Sequence, residues 1–200
     1  PDIHASMSLC LGPCEVSVSE MVSAYTAFAN HGIRTAPMFV SRIEDNEGNT
    51  IATFQPRMNE VIGAENAMKM LTMLMGVVDG GTAGRLRYRY NLEGQIGAKT
   101  GTTNNNSDGW FIGFTPQLVS GCWVGGEERD IHFDSMNMGQ GATMALPIWA
   151  IFMKKVYADP SLGIRPDVKF DLPDGYDPCY KPKSDQDDFE QVDGIDEVFE

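Results

Sequence analysis

The chain has 200 residues and a formal net charge of −13 at pH 7. Hydrophobic residues make up 42% and aromatic residues 10%, which is typical of a globular protein and argues against a disordered or fibrous class. Phosphate binding requires clustered Lys and Arg, so the acidic balance argues against a nucleic-acid partner. The length favours one compact body with a tail.

The longest strongly apolar stretch, Ala145 to Met153, is far shorter than the roughly 20 residues that a membrane-spanning helix needs. The chain starts at Pro1 with neither an initiator Met nor the pattern of a signal peptide. We therefore expect that these residues are cut from a longer protein and that any signal or membrane anchor lies upstream.

Cysteine content gives little information about the redox compartment, because four cysteines allow three disulfide pairings. His4 with Cys10 and Cys14 could be considered for metal ligation, but no second Cys/His pair follows at suitable spacing. We expect neither a metal site nor a bound cofactor. The four cysteines are Cys10, Cys14, Cys122 and Cys179.

The first predicted element is an amphipathic helix between Ser17 and Asn30. Ser17 and Glu20 form the pattern of a capping box, which predicts the start of the helix, and Gly32 provides the stop. The periodicity favours a core helix over a binding helix. The apolar residues at helical spacing are Met21, Ala24, Tyr25, Phe28 and Ala29.

A hairpin is predicted next, with strands at Met38 to Glu44 and Thr50 to Phe54 around a turn at Asp45 to Asn49. Ala64 to Asp79 is apolar on nearly all sides and ends at Gly80-Gly81, as is typical of a buried helix. Its methionines suit irregular core filling, and a cofactor pocket is the less favoured alternative.

Three strands are predicted in the second half, at Gln95 to Thr102, Gly109 to Phe114 and Leu118 to Gly125. Their short connections favour antiparallel neighbours. A last helix runs from Leu146 to about Tyr157, with Pro147 in its first turn. Helices and antiparallel strands in separate blocks predict an α+β fold, an antiparallel sheet covered by helices.

The central strand of the three carries apolar residues on both faces. Trp110, Ile112 and Phe114 should share one face and Phe111 the other, because side chains alternate along a strand. We therefore expect the first and the last helix to cover the two faces of this sheet.

From Pro166 onward the sequence is rich in Pro, Gly, Asp and Lys, and Lys181 to Glu200 carries two lysines against eight acids. Such a segment buries too little apolar area to offset its ordering entropy, so we predict a poorly ordered acidic tail. Docking of the tail against the body or a neighbouring chain is the alternative, because some of its apolar residues have near-helical spacing. These residues are Phe189, Val192, Ile195 and Phe199.

The main functional signal is the Lys-Thr-Gly triplet at Lys99, Thr100 and Gly101. On a strand this triplet serves active-site serine peptidoglycan enzymes, where it holds an extended peptide that ends in a carboxylate. Lys99 would supply positive charge, Thr100 and Thr102 would supply hydroxyl donors, and Gly101 would leave room for the substrate backbone. The amide of Thr102 would donate in an oxyanion hole.

Three residues also occur by chance, so an ordinary strand and turn is equally favoured on the triplet alone. Gly97 to Thr100 does not fit a phosphate-binding loop, because that motif needs Gly directly before Lys and Ala98 intervenes. No serine of the chain has a lysine three positions later, so the Ser-x-x-Lys motif of a serine nucleophile is absent from these residues.

A basic run lies just before the triplet strand, within Thr82 to Glu93. Its residues are Arg85-Leu86-Arg87-Tyr88-Arg89-Tyr90. Charge runs are usually solvated, so the run predicts a solvated basic loop, and a glycan-binding site is the alternative.

Groups of residues in a fixed order extend the signal well beyond the triplet. They are Leu11-Gly12, Glu15-Val16, Glu20-Met21, Ala24-Tyr25, Phe28-Ala29-Asn30, Gly32, Gly76-Val77-Val78, Gly81-Thr82, Lys99 to Asn104, Asp108 to Pro116, Trp123-Val124-Gly125 and Ala145 to Trp149. On these groups, the chain resembles the transpeptidase domain of class A, bifunctional penicillin-binding proteins over roughly Leu11 to Tyr157. Thr82 to Glu93 departs most from the pattern of that family.

The resemblance implies the C-terminal part of a penicillin-binding protein/serine β-lactamase-like fold, with a domain portion at 1–165 and the acidic tail at 166–200. It implies a parent D,D-transpeptidase, carrying a glycosyltransferase half, that cross-links peptidoglycan through a serine acyl-enzyme. The implied partners are stem peptides ending in D-Ala-D-Ala and, as inhibitors, β-lactams. The implied location is the periplasmic face of the inner membrane, where an upstream segment anchors the parent.

The resemblance also assigns roles to residues. Lys99 and Thr102 would be catalytic, and both would bind substrate together with Thr100 and Gly101. The nucleophile, its lysine base and the proton-shuttling serine belong to Ser-x-x-Lys and Ser-x-Asn motifs that precede this region in the family. Ser135-Met136-Asn137 matches Ser-x-Asn but follows Lys99, so we interpret it as a decoy.

Two other functions stay open at this point. A serine β-lactamase also uses Lys-Thr-Gly in the same fold, although the Trp-Phe and Trp-Val-Gly strands and the Leu-Pro-Ile-Trp helix favour the transpeptidase. A non-catalytic wall-binding or interaction module, with its acidic tail docking a partner, belongs to another class. A penicillin-acylation assay separates these hypotheses.

Overall fold

A computed structural model describes residues 3, 5–12 and 14–178. Helices and antiparallel strands occur in blocks along the chain, as the sequence predicts for an α+β fold. The elements are α1 (Val18–Ala29), β1 (Ile33–Thr35), β2 (Arg42–Glu44), β3 (Thr50–Thr53), β4 (Met58–Glu60), α2 (Ala64–Asp79), α3 (Arg85–Tyr88), β5 (Gly97–Thr102), β6 (Asp108–Phe114), β7 (Val119–Gly125), α4 (Met136–Gly139), α5 (Gly141–Met144) and α6 (Leu146–Ala158).

Helix α1 begins with the predicted capping box. The backbone N–H of Glu20 donates to Ser17 Oγ at 3.3 Å, and the backbone N–H of Ser17 donates to Glu20 Oε2 at 2.8 Å. Gly32, with φ of +92°, turns the chain after the helix, and its N–H donates to the carbonyl of Ala27 at 2.7 Å. A Cβ at position 32 would overlap the carbonyl of Ile62, so only glycine fits this turn.

Strands β5, β6 and β7 form one antiparallel sheet in that order, which leaves β5 at its edge. Lys99 lies opposite Ile112, and Ile112 lies opposite Gly121 on β7. The other strands pair in two small sheets, β1 with β4 and β2 with β3. The predicted order of three antiparallel strands is confirmed.

Helices cover both faces of this sheet, as predicted. A Cβ at Gly121 would lie 2.5 Å from Ile112 Cδ1 and 3.0 Å from Val22 Cγ2, so the Ile112 face packs against α1. Phe111 points the other way, where its ring centroid lies 5.3 Å from that of Trp149 on α6. Each face therefore buries one row of the apolar residues that alternate along β6.

Two predicted elements differ in extent from the structure. Helix α2 has the predicted bounds, but it is buried along one face only, and Met73 on the other side is 57% exposed. The first hairpin strand is only Arg42–Glu44, because Met38 to Val40 lie outside any strand and Phe39 is 88% exposed. In both places, the apolar composition predicted more buried residues than the structure contains. The buried residues of α2 are Ala67, Leu71, Leu74 and Val78.

The chain continues to pack on the body beyond residue 165, where we placed the start of the tail. Phe170 is 7% exposed, and its ring centroid lies 5.8 Å from that of Phe114. The backbone N–H of Phe170 donates to Gln95 Oε1 at 2.7 Å. The apolar surface of the sheet therefore holds residues 170–172 in place. The predicted tail at Lys181 to Glu200 lies outside the described residues.

Within the residues that the structure describes, every helix is too short or too polar to cross a bilayer.

Candidate functional site

The Lys-Thr-Gly triplet lies on β5, at the edge of the three-stranded sheet and at the rim of a cleft of about 690 Å³. The floor of the cleft is the face of the sheet that carries Lys99, Gly101 and Ile112. The first turns of α1 and the segment before it form one wall, and Gly126, Glu127 and Arg129 also line the cleft. All four residues predicted for the site line this cleft: Lys99, Thr100, Gly101 and Thr102.

Strand β5 has one edge that is not paired with another strand in the described part of the chain. Gly97 to Thr102 pairs with β6 along its whole length, and in the described part of the chain no strand pairs with its other edge. An edge strand presents unpaired backbone N–H and C=O groups, and an extended peptide can add to them as a further strand. The arrangement can therefore hold a peptide alongside the triplet.

The Lys99 ammonium and the two threonine hydroxyls each have a defined partner. Lys99 Nζ donates to the backbone carbonyl of Thr100 at 2.6 Å, and the lysine side chain is exposed. Thr100 Oγ1 lies 2.9 Å from Thr82 Oγ1. Thr102 Oγ1 accepts a hydrogen bond from the backbone N–H of Gly141 at 3.0 Å. These contacts leave one charged and two hydroxyl groups along one strand edge, a set suited to binding a carboxylate.

A carboxylate network holds the end of β5 against the rest of the sheet. Asp108 Oδ2 accepts from Thr103 Oγ1 at 3.0 Å, and Asp108 Oδ1 accepts from the indole N–H of Trp123 at 3.0 Å. The backbone N–H of Asp108 donates in turn to Thr103 Oγ1 at 3.0 Å. Asp108 thus links the strand that carries the triplet to β7, across the two sides of the turn at Asn104–Asn106.

Tyr25 of α1 lines the same cleft, and its ring packs edge-on against Phe28 and Phe114. Burial raises the pKa of the Tyr25 phenol, which therefore stays neutral at physiological pH. The wall that α1 contributes to the cleft is thus aromatic and uncharged at Tyr25.

Thr82 to Glu93 is not the solvated basic loop that we predicted. Residues Arg85–Tyr88 form α3, and Ala83 and Leu86 are fully buried. Arg85 donates to α5, and Arg87 donates to Asp79 and to the carbonyl of Leu92. Oxygen acceptors therefore hold Arg85 and Arg87, and the buried Leu86 between them fixes α3 on the core.

Three other sequence hypotheses can be compared with the structure. Ser135 precedes the short helix α4, and neither Ser135 nor Asn137 lines the cleft, in agreement with the decoy interpretation. Gly97 to Thr100 lies inside β5 and not in a loop between a strand and a helix, so it is no phosphate loop. No group of three or more His, Cys, Asp or Glu side chains within the described residues could hold a metal ion.

Sequence reasoning missed three groups around the triplet: Asp108, Arg85 and the Gly141 amide. Asp108 is the first residue of β6, whose predicted start was Gly109. Its position directly after the turn was the sequence feature that could have indicated its role. Arg85 and Gly141 act across 58 and 39 positions of sequence, and no local pattern shows such contacts.

Comparison with known proteins identifies the family of this site. The family model "Penicillin binding protein transpeptidase domain" matches residues 3–121. The chain belongs to this transpeptidase family. The match includes α1, the triplet on β5, all of β6 and the first three residues of β7. The transpeptidase resemblance drawn from the sequence is therefore confirmed.

Curated relatives of this family are similar over most of the chain. It is 36% identical over 166 residues to penicillin-binding protein 1A of Aquifex aeolicus, which is 83% of this chain and 21% of that protein. It is 34% identical over 181 residues to penicillin-binding protein 1A of Neisseria lactamica, again 21% of that protein. The chain thus spans about a fifth of the length of these relatives.

Solved structures confirm the fold. The crystal structure of penicillin-binding protein 1A from Haemophilus influenzae matches with a TM-score of 0.73 and 26% identity, over 85% of this chain and 30% of that one. The penicillin-binding protein PonA1 from Mycobacterium tuberculosis matches with a TM-score of 0.66 and 24% identity, over 82% of this chain and 43% of that one. The predicted α+β, transpeptidase-like fold is therefore correct.

Proposed function

We propose that this chain forms the substrate-binding wall of a serine D,D-transpeptidase, within a longer protein that cross-links peptidoglycan. The observation that carries the proposal is the Lys-Thr-Gly-Thr edge strand lining the cleft in a chain of the transpeptidase family. The serine nucleophile and its lysine base are supplied by the region that precedes these residues in the relatives.

In the proposed reaction, a stem peptide ending in D-Ala-D-Ala lies antiparallel along the outer edge of β5. The hydroxyls of Thr100 and Thr102 donate to its terminal carboxylate, and the ammonium of Lys99 provides the opposite charge. Gly101 has no side chain to obstruct the peptide. The triplet thus fixes the substrate so that the carbonyl of the penultimate D-Ala faces the nucleophile.

The serine oxygen attacks that carbonyl carbon and gives up its proton to the base. The C–N bond to the terminal D-Ala then breaks, and the protonated amine leaves as free D-Ala. An amine of a neighbouring stem attacks the acyl-serine ester, forms the new amide bond and releases the serine. The backbone N–H of Thr102 donates to the oxyanion in both steps, an interaction worth about 2.7–4 kcal/mol for comparable donors.

β-Lactams bind the same wall, because their carboxylate and strained amide resemble the stem terminus. The family name supports this part of the proposal. The proposed location is the periplasmic face of the inner membrane, with the anchor in a segment upstream of these residues. Peptidoglycan lies on that side, and protease protection of the longer protein in spheroplasts tests the placement.

Mass spectrometry after incubation with penicillin tests the function. We expect the longer protein to gain one penicilloyl group on a serine upstream of Pro1. The 200-residue chain should gain none, because no serine in it is followed by lysine at the third position. A stable adduct on a serine of the chain would overturn the assignment.

The other hypotheses give different results in the same assay. Rapid release of hydrolysed penicillin by the longer protein would indicate a β-lactamase. The lack of any adduct on the longer protein would indicate a non-catalytic wall-binding module.

A further inference from the structure

Helix α5 lies directly on the strand that carries the triplet. A Cβ at Gly141 would overlap the carbonyl oxygens of Gly101 and Trp110, so the first residue of α5 touches the backbone of β5 and β6. The backbone N–H of Gly141 donates to Thr102 Oγ1 at 3.0 Å. Since the hydroxyl oxygen accepts this bond, its own hydrogen remains available to a ligand in the cleft.

Arg85 holds α5 through two hydrogen bonds. Its Nη1 donates to the carbonyl of Ala142 at 3.2 Å and to Thr143 Oγ1 at 3.0 Å. Those two residues directly follow Gly141, so the arginine fixes the turn that presents the Gly141 amide to Thr102. A guanidinium carries several donors in a rigid plane, which suits the simultaneous contact with a carbonyl and a hydroxyl.

The core in turn fixes Arg85. Ala83 and Leu86, on either side of the arginine, are fully buried, and the arginine itself is half-buried. Thr82, at the start of the same segment, contacts Thr100 Oγ1 directly. One short segment, Thr82 to Leu86, thus reaches both hydroxyls of the binding wall, one directly and the other through α5.

We propose that Arg85 is a positioning residue for Thr102, acting through the α5 turn to orient the hydroxyl that binds the substrate carboxylate. This inference rests on the proposed function, which it extends to a residue outside the triplet. Arg85 touches neither the substrate nor the reacting atoms; it sets the direction from which Gly141 donates. Loss of Arg85 should therefore impair only what depends on Thr102.

A double-mutant cycle in the longer protein tests the coupling. We expect Arg85→Met to lower the second-order rate of acylation by penicillin about tenfold, less than the hundredfold that a misplacement of about 1 Å can cause. Arg85→Lys should recover part of the rate. In a Thr102→Val background, Arg85→Met should cause no further loss, because the hydroxyl that it positions is gone.

Arg87→Met is the matched control. Arg87 is the neighbouring half-buried arginine. It donates to Asp79 and to the Leu92 carbonyl, and neither residue belongs to α5 or β5. Its removal should leave the acylation rate unchanged even where the melting temperature falls. Equal losses from Arg85→Met and Arg87→Met would mean that Arg85 acts through stability alone, and the proposal would fail.

Amide exchange of Gly141 in the longer protein separates the two proposals. Arg85→Met should raise the exchange rate at Gly141, and Arg87→Met should not. Unchanged exchange, or a full tenfold loss in the Thr102→Val background, would overturn the role of Arg85.

If the unmodified protein is never acylated, the proposed function fails, and faster exchange at Gly141 still shows that Arg85 holds the turn. If Arg85→Met does not fold, Arg85→Lys takes its place in the cycle and the exchange measurement.

Discussion

At the scale of single residues, Lys99 supplies the positive charge of the triplet. Its ammonium group reaches back only to the Thr100 carbonyl and is otherwise open to the cleft. A group in this position contributes little to the core, so its removal should affect ligand binding and leave the fold intact. The same holds for the hydroxyl of Thr100, whose partner is another threonine hydroxyl.

We expect Lys99→Ala in the longer protein to slow acylation by penicillin about a hundredfold, the order of loss that follows removal of one charge-stabilising donor. Thr100→Val, which keeps the shape and removes the hydroxyl, should slow it less. Melting temperatures should stay close to that of the unmodified protein. Lys155→Ala, an exposed lysine on α6, is the control and should acylate normally. A normal rate for Lys99→Ala would remove this residue from the site.

Two glycines differ in the space that is available for an added side chain. A Cβ at Gly113 on β6 would lie 2.5 Å from the ring of Trp149, whereas nothing lies within 4 Å of one at Gly76 in α2. We expect Gly113→Ala to lower the free energy of unfolding by about 1–3 kcal/mol through overpacking. Gly76→Ala should raise it by about 0.5–1 kcal/mol, because alanine favours a helix interior. Urea unfolding of both variants checks the signs, and a stable Gly113→Ala would mean that α6 is not seated on this strand.

At the scale of elements, the start of α1 forms part of the cleft wall and depends on its cap. Ser17 lines the cleft and caps the helix through the Glu20 N–H. We expect Ser17→Ala to lower the free energy of unfolding by about 1 kcal/mol, the usual loss for a removed cap. Ser19→Ala, two residues later and without a capping bond to the backbone, serves as the comparison. Equal losses in the two variants would argue against the capping box.

The same cap gives α1 a pH dependence. The backbone N–H of Ser17, which donates to the Glu20 carboxylate, is the largest cause that lowers the pKa of Glu20 to about 2. Because the pKa is lower in the folded state, the contribution of Glu20 to stability is full above the unfolded value near 4.5 and is lost as the pH falls toward 2. Between pH 5 and pH 2.5, the free energy of unfolding should therefore fall less in Glu20→Gln than in the unmodified chain. Parallel curves for the two proteins would contradict this.

At the scale of the whole molecule, the sheet is the common support of helix, cleft and C-terminal segment. Residues up to Leu172 close over Phe114, which also packs against Tyr25 in the wall of the cleft. The segment after residue 165 therefore stabilises the wall from behind. Packing of this kind connects the end of the described chain to the site at its centre.

We expect Phe170→Ala to lower the free energy of unfolding by about 3 kcal/mol, as for other buried aromatic residues truncated to alanine. Leu162→Ala should change it by less than about 0.5 kcal/mol, because that side chain is 52% exposed. Denaturant unfolding of the chain measures both. Equal small effects would show that the folded body ends before Phe170.

The sequence alone determined the features that depend on neighbours along the chain. The capping box predicted the start of α1, because its residues lie within one helical turn. Alternation along β6 assigned Phe111 and Ile112 to opposite faces, because side chains of a strand alternate with a period of two residues. The spacing of family residues around Lys99 indicated the transpeptidase. The first two patterns are complete within a short segment, and the family pattern is a fixed order of short groups along the chain, so each can be recognised without knowledge of the fold.

Only the tertiary structure decided which residues support the triplet. Arg85 was assigned to a solvated loop on its charge, yet burial of Leu86 beside it brings it to Thr143, far along the sequence. The Gly141 amide reaches Thr102 only because α5 lies on the paired backbones of β5 and β6. Packing of the core decides which surfaces come into contact. Local sequence therefore does not show which distant residues will be neighbours in space.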